Sequence, residues 1–159
     1  MIPVFSSDLL LVLLRAGVAS RHEICGILRD ADGTIVRADP SANVAADPAT
    51  RFEIDPAALL SAWRDARRPG APGVAGWYHS HPSGDPDPSP TDAAQAAADG
   101  RLWLILGGRT ARLWRAVAHG ARYDRFDPVP FRLTGPNRVD KICEAVQMDA
   151  TGRTLSSVP

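Results

Sequence analysis

His79 and His81 stand one residue apart in Gly76-Trp77-Tyr78-His79-Ser80-His81. Side chains two apart on a strand point to the same face. Two imidazoles can therefore meet at one point, provided the strand persists through Ser80. A His-x-His pair alone is most often incidental, so its surroundings decide. A stiff loop follows, with prolines at 82, 86, 88 and 90, and it closes on Ser89-Pro90-Thr91-Asp92. Asp92 lies eleven positions beyond His81, in the first turn of a helix. Two histidines and a carboxylate leave a fourth tetrahedral position open to water, the plan of a catalytic zinc site rather than a structural one. The same residues also have plain structural readings. Ser89 is a good N-cap, and Asp92 at N3 is a favourable charge at a helix N-terminus. Asp85 and Asp87 read as solvated turn residues. The capping roles are compatible with catalysis.

The elements that must position these groups follow from pattern. Ser6, Ser7 or Asp8 can cap a helix to about Ala19. "EICGILRD" reads as a strand, and Asp30 to Gly33 as the turn of a hairpin into "TIVRAD". "PSANVAADPAT" is a Pro- and Ala-rich excursion. "RFEID" alternates as a short strand with one buried face. Asp55 and Pro56 start a helix whose apolar stripe is Leu59, Leu60 and Trp63. "GVAGWYHSH" is a buried strand entering the proline loop. A second capped helix starts at Ser89 and has an alanine-rich body ending at Gly100. "LWLILGG" and "TARLWRAV" form a hairpin, and "ARYDRFDPVPFRL" adds an edge strand limited by its prolines. Finally, Asn137 caps a helix with Val139, Ile142, Cys143 and Val146 at helical spacing, followed by a frayed tail. The whole predicts a single α+β or mixed α/β domain.

The chain has 159 residues, 45% apolar and 23% charged, with 18 basic residues balancing 18 acidic ones. It is long enough to bury a core without disulfides, and no global field draws it to nucleic acid or an anionic membrane. Its two cysteines, Cys25 and Cys143, give no disulfide framework and fit a reducing compartment. The apolar run Leu9 to Leu14 is shorter than the roughly 20 residues a bilayer span needs. "MIPVFSSD" lacks the positive start of a secretory signal. A cytoplasmic location is expected, with neither nucleic acid nor membrane as partner.

"HSHPSGDPDPSPTD" resembles the His-x-His-Pro-loop-Ser-x-x-Asp signature of the JAMM (MPN+, or JAB) metalloproteases. The family also carries a glutamate upstream of a Cys-Gly pair, and "HEICGIL" supplies Glu23, Cys25 and Gly26. Read alone, Glu23 would be a surface residue at a strand start. The order of elements over about residues 6–118 is similar to the family's fold, and Asn43 to Pro56 is similar to a stretch in small prokaryotic members. The resemblance implies a mixed α/β JAMM/MPN+ domain over residues 1–133, with a central, mostly antiparallel curved sheet flanked by helices, and 134–159 as the C-terminal helix and tail. It implies that His79, His81 and Asp92 bind one zinc ion with a catalytic water. Glu23 would be general base and then general acid, and Ser89 would donate a hydrogen bond to the oxyanion. Cys25 could be suspected as a fourth ligand, but in the family it is a buried neighbour. His22 and His119 have no readable partners and default to the surface. Alternation puts Trp77 on the metal face and Tyr78 opposite, although core packing is the commoner fate of both. The implied substrate is the amide bond after the C-terminal Gly-Gly of a ubiquitin-like or sulfur-carrier protein, cleaved in precursor processing or deconjugation. An extended tail can add to a sheet edge, and Asn43 to Asp55 is the segment expected to offer one. Two other readings stand beside it: a zinc amidase for a cell-wall or phage-type peptide or a small amide, and a non-catalytic scaffold. Oligomeric state is not readable; the tail helix would cap the core or mediate self-association.

Overall fold

The computed structural model describes residues 1–135, 142–151 and 153–158. A short strand, β1 (Val4–Ser6), ends where the Ser6 hydroxyl accepts the Leu9 N–H at 3.0 Å and starts helix α1 (Ser7–Ala19). Ser6 is thus the cap among the three candidates. Leu10, Leu13 and Leu14 form the buried face of α1, at the 3–4 spacing of one helix stripe. Gly17 brings this helix close to the sheet. A Cβ there would stand 3.1 Å from the Cβ of Ser80, the residue between the two histidines.

The predicted hairpin is present as β2 (Cys25–Ala31) and β3 (Thr34–Ser41). After helix α2 (Pro56–Asp65), capped by the Asp55 carboxylate, comes β4 (Gly73–His81). The short helix α3 (Pro90–Gln95) connects β4 to β5 (Leu102–Gly107), its parallel neighbour. Next come β6 (Thr110–Ala116), β7 (Phe126–Pro128) and β8 (Phe131–Thr134). The last are β9 (Ile142–Cys143), β10 (Ala145–Met148) and β11 (Thr154–Val158). Among the described residues these make one curled, mostly antiparallel sheet in the order β11-β10-β6-β5-β4-β2-β3-β1-β8-β9, with β7 also on β6. The mixed α/β class expected from sequence is the one observed.

The centre of the sheet is buried on both faces, and β5 is buried along its whole length. Its even-numbered residues Leu102, Leu104 and Leu106 join Phe5, Leu10, Leu14, Tyr78 and Phe131 beneath α1. Its odd-numbered residues Trp103 and Ile105 face the other way, with Cys25, Phe52, Trp114 and Phe126. Period-two alternation therefore assigns β4 as well. Tyr78 packs with the α1 core, while Trp77 packs on the opposite cluster and His79 stands against that cluster's Phe52 and Trp103.

Several sequence expectations are corrected. The helix expected from Asn137 is not formed where the chain is described: Ile142–Cys143 and Ala145–Met148 are strands, and Asn137 and Val139 lie outside the described residues. Val146 and Met148 are buried while Gln147 is exposed, a period of two that competes with the helical spacing. Pairing Val146 with Ala111 on the open edge of β6 decides it. "RFEID" makes only one bridge, Ile54 to Asn43. The alanine-rich helix ends at Gln95, because Ala96 turns extended and is buried beside Phe52 and Cys25. In α2 the buried residue is Ala62. Leu60 is exposed, and Trp63 stacks on the Arg101 guanidinium at 4.5 Å. The expected single edge strand is two, β7 and β8. No helix among the described residues is long and apolar enough to cross a membrane.

Candidate active site

Strand β4 holds through Ser80, so His79 and His81 point to one face, as their spacing requires. Ser80 points the other way and anchors the neighbouring strand: its hydroxyl accepts the Ile24 N–H at 2.9 Å, and its own N–H reaches the Ile24 carbonyl at 3.0 Å. The two Nε2 atoms lie 3.0 Å apart. Asp92 closes the triangle, with Oδ1 3.1 Å from His79 Nε2 and Oδ2 3.1 Å from His81 Nε2. All three side chains are buried.

The proline loop and α3 fix Asp92. Ser89 and Asp92 form a reciprocal capping box: the Asp92 N–H donates to Ser89 Oγ at 3.1 Å, and the Ser89 N–H donates to Asp92 Oδ2 at 2.7 Å. The Ser89 hydroxyl also donates to Asp92 Oδ2 at 2.7 Å. The loop lies across the end of β5, where a Cβ on Gly107 would come within 2.5 Å of Gly84 O and Pro86 N. It is fastened to β6 by Trp114 Nε1–H donating to the Pro86 carbonyl at 3.2 Å and by the Arg112–Asp87 ion pair, which Arg122 joins at 3.8 Å. Asp87 is therefore paired rather than simply solvated. Held this way, the loop offers the Asp85 carbonyl to His81 Nδ1 at 2.8 Å. That contact places the proton on Nδ1 and leaves the Nε2 lone pair facing His79 and Asp92.

His79 is held differently. Its ring stacks on Phe52 with centroids 4.3 Å apart and planes 19° apart, and Trp103 meets it edge-on at 5.8 Å. Its Nδ1 is buried and unpartnered. Phe52 was not singled out by sequence reading; it precedes "EID" in a stretch that looked like an ordinary strand. The Asp85 carbonyl was equally unreadable, since backbone contacts leave no residue-type signal.

Glu23 precedes β2, and the strand register places it. Cys25 pairs with His79, and the Ser80–Ile24 bond continues that ladder, so Glu23 falls opposite His81 on the same face. Glu23 is only 5% exposed, and its Oε2 is buried without a hydrogen-bond partner. Cys25 turns its sulfur toward the carbonyls of Ser41 and Ala42, each 3.8 Å away, outside the group of converging ligand atoms. His22 and His119 are exposed; His119 pairs with Asp124 at 3.2 Å.

Burial and charge act against each other here. Burial pushes the Glu23 carboxyl up to about 7, with His81 opposing and Asp92 and Asp47 adding to the rise. Burial likewise pushes the Cys25 thiol up to about 11, which keeps it protonated and unreactive. For Asp92, burial alone would raise the carboxyl, but His79, His81 and the Ser89 amide hold it well below the usual range. His79 is lowered by burial against the pull of Asp92. His81 is raised, because Asp92 and the Asp85 carbonyl outweigh its burial.

The donor set fits a divalent cation. Ligands held about 2.0–2.1 Å from zinc in a tetrahedron stand about 3.3 Å apart; the three donor pairs here stand 3.0–3.1 Å apart. His79, His81 and Asp92 could thus hold a metal ion between them.

Comparisons with known proteins agree with this reading of the fold. Residues 8–117 match the family described as prokaryotic homologs of the JAB domain. A desampylase from Haloferax volcanii is 40% identical over 97 residues, covering 58% of this chain and 69% of that protein. A solution structure of a protein from Desulfitobacterium hafniense superposes with a TM-score of 0.67 at 23% identity, covering 85% of this chain and 94% of that one. Another, from Salinibacter ruber, gives 0.56 at 20% identity, covering 86% and 95%. At these identities the two structures bear on fold alone. With the family match spanning β2, β4, the proline loop and α3, the chain belongs to the prokaryotic homologs of the JAB domain.

Proposed function

We propose that this protein is a zinc-dependent peptidase or isopeptidase that hydrolyses the amide bond after the C-terminal Gly-Gly of a ubiquitin-like or sulfur-carrier protein. One observation carries the reading: His79, His81 and Asp92 converge on a single point, with a buried carboxyl, Glu23, opposite His81 on the same face. The Haloferax volcanii relative, named a desampylase, supports a hydrolase of this class.

His79 and His81 through Nε2, and Asp92 through its carboxylate, would hold the zinc. When bound, zinc supplies a water acidified to a pKa of roughly 7 and a Lewis acid for the scissile carbonyl. The remaining work belongs to the chain. Glu23, ionised, takes the proton released as the water oxygen attacks the carbonyl carbon, and returns it to the departing amine nitrogen. Its buried position gives it a proton affinity near neutrality, suited to both transfers. Ser89 Oγ already accepts the Asp92 N–H, so its single proton can turn from Asp92 to the substrate oxygen as charge develops there. Between residues 45–53 and α3 runs a groove of about 450 Å³, lined by Ala45, Ala46, Phe52, Thr91 and Ala94 among others. Arg51, Glu53 and Gln95 complete its lining; Ala45 and Ala46 on one wall and Thr91 and Ala94 on the other leave room for an extended glycine tail, and Phe52 links the groove to His79.

The test is cleavage of a ubiquitin-like protein carrying a C-terminal extension, read by intact mass with and without a chelator. A chelator-sensitive cut directly after Gly-Gly is expected. A zinc-loaded protein that leaves such substrates and their conjugates intact would overturn the substrate assignment.

A further inference from the structure

We propose that Asn43 is a positioning residue that holds the backbone of Glu23 in register with the metal ligands; the inference rests on the reading of Glu23 as the base. Glu23 lies before the first residue of β2, so the β2–β4 ladder does not fasten its own peptide groups. Both are held by the excursion instead. Its N–H donates to the Pro48 carbonyl at 2.7 Å, and its carbonyl accepts from Asn43 Nδ2 at 2.9 Å.

The same side chain organises the excursion. Asn43 Nδ2 also donates to the Arg51 carbonyl at 3.0 Å, while Oδ1 accepts the N–H groups of Ala45 at 3.1 Å and Glu53 at 3.0 Å. A carboxamide has two N–H donors and two acceptor lone pairs, and here all four are used. The partners also fix the orientation of the amide: two carbonyls face one end and two N–H groups the other, so a flip would set like against like at all four. A bridge to Ile54 and the Val44 N–H bond to the Glu53 carbonyl at 3.0 Å complete the local pairing. One polar side chain thus joins the base's peptide to the segment that carries Phe52 and walls the proposed groove.

This arrangement matters because the Glu23 carboxyl is aimed by its backbone. Its Oε2 has no hydrogen-bond partner to hold it. A misplacement of about 1 Å in a reacting group can cost on the order of 100-fold in rate.

Asn43→Asp is the sharpest variant. It keeps the acceptor toward Ala45 and Glu53 and sets an oxygen against the carbonyls of Glu23 and Arg51. Two readouts on the zinc-loaded protein are expected to move together. Against a Gly-Gly-extended substrate, kcat should fall about 10- to 100-fold with KM changed less than about threefold. With ¹³C-labelled glutamate, only Glu23, Glu53 and Glu144 give carboxyl signals. The Glu23 signal, assigned with Glu23→Gln, should shift in Asn43→Asp while that of Glu144 stays fixed. Zinc content should remain at the wild-type level. An unmoved Glu23 signal, or a moved one with unchanged kcat, overturns the proposal. Loss of zinc does so too, because Asn43 would then be serving the ligands. Should the wild type cleave no such substrate, the functional reading fails separately and the carboxyl signal alone decides the positioning role. If Asn43→Asp does not fold, Asn43→Ala removes the bonds to Glu23 and Arg51, together with those from Ala45 and Glu53, without adding charge, and is read in the same way.

Discussion

The two halves of the proposed site, metal ligands and base, are built by different means. The proposed ligand half, from His79 to Asp92, is one continuous piece of chain whose aim follows from its own local geometry: strand periodicity aims the histidines, a capping box fixes Asp92, and the loop's own Asp85 carbonyl orients His81. The base half is a single residue ahead of its strand, held by bonds from positions 20 and 25 residues away, Asn43 and Pro48. The aim of the ligands is set within their own segment and then braced by Phe52, Trp103 and β6, whereas the backbone of the base is held wholly by a distant segment. Metal binding and proton transfer should therefore be separable by mutation.

The largest effect is expected within the ligand half. His81→Ala or Asp92→Ala should abolish bound zinc and take turnover below detection, checked by metal analysis and cleavage on the same sample. Glu23→Gln comes next. It should keep the zinc and lower kcat by about 10²- to 10⁴-fold, the usual contribution of a general acid–base. It should also change the pH profile. The base works only when ionised, so wild-type kcat/KM should fall as pH drops through the Glu23 pKa, about 7 in the metal-free protein and lower beside a bound cation. Glu23→Gln should lose that acidic limb, as a rate profile from pH 5 to 8 would show.

Phe52→Ala joins the two halves, since the ring stacks on His79 and its segment is held by Asn43. Truncating a buried aromatic should cost about 3–5 kcal/mol of stability in denaturant unfolding, with zinc bound more weakly as His79 loses its wall. Asp87→Ala should do least. It breaks the partly exposed pairs to Arg112 and Arg122, worth up to about 1 kcal/mol and weaker in high salt, and the Trp114–Pro86 bond still holds the loop.

The same contrast explains what could be read from the sequence. The triad was legible because its geometry follows from a two-residue strand period and a helix cap, both local rules. Nothing local marked Glu23, which looked like a surface residue until a family pattern pointed to it. The contact of Phe52 with His79 and the bonds of Asn43 join segments far apart in the chain, and no periodicity encodes them. The tail failed for a related reason. Ile142, Cys143 and Val146 fit a helical stripe, but the open edge of β6 took the segment as a strand. Asp87 looked like a turn residue because its partner Arg112 lies 25 positions away.

The most direct test of the division between the halves is zinc per chain and cleavage after Gly-Gly, measured together in wild type, His81→Ala and Glu23→Gln. That division predicts, in the same order, one zinc with turnover, no zinc with no turnover, and one zinc with turnover nearly lost. Loss of zinc in Glu23→Gln to the extent seen in His81→Ala would contradict it, for the glutamate would then belong to the metal rather than to the proton.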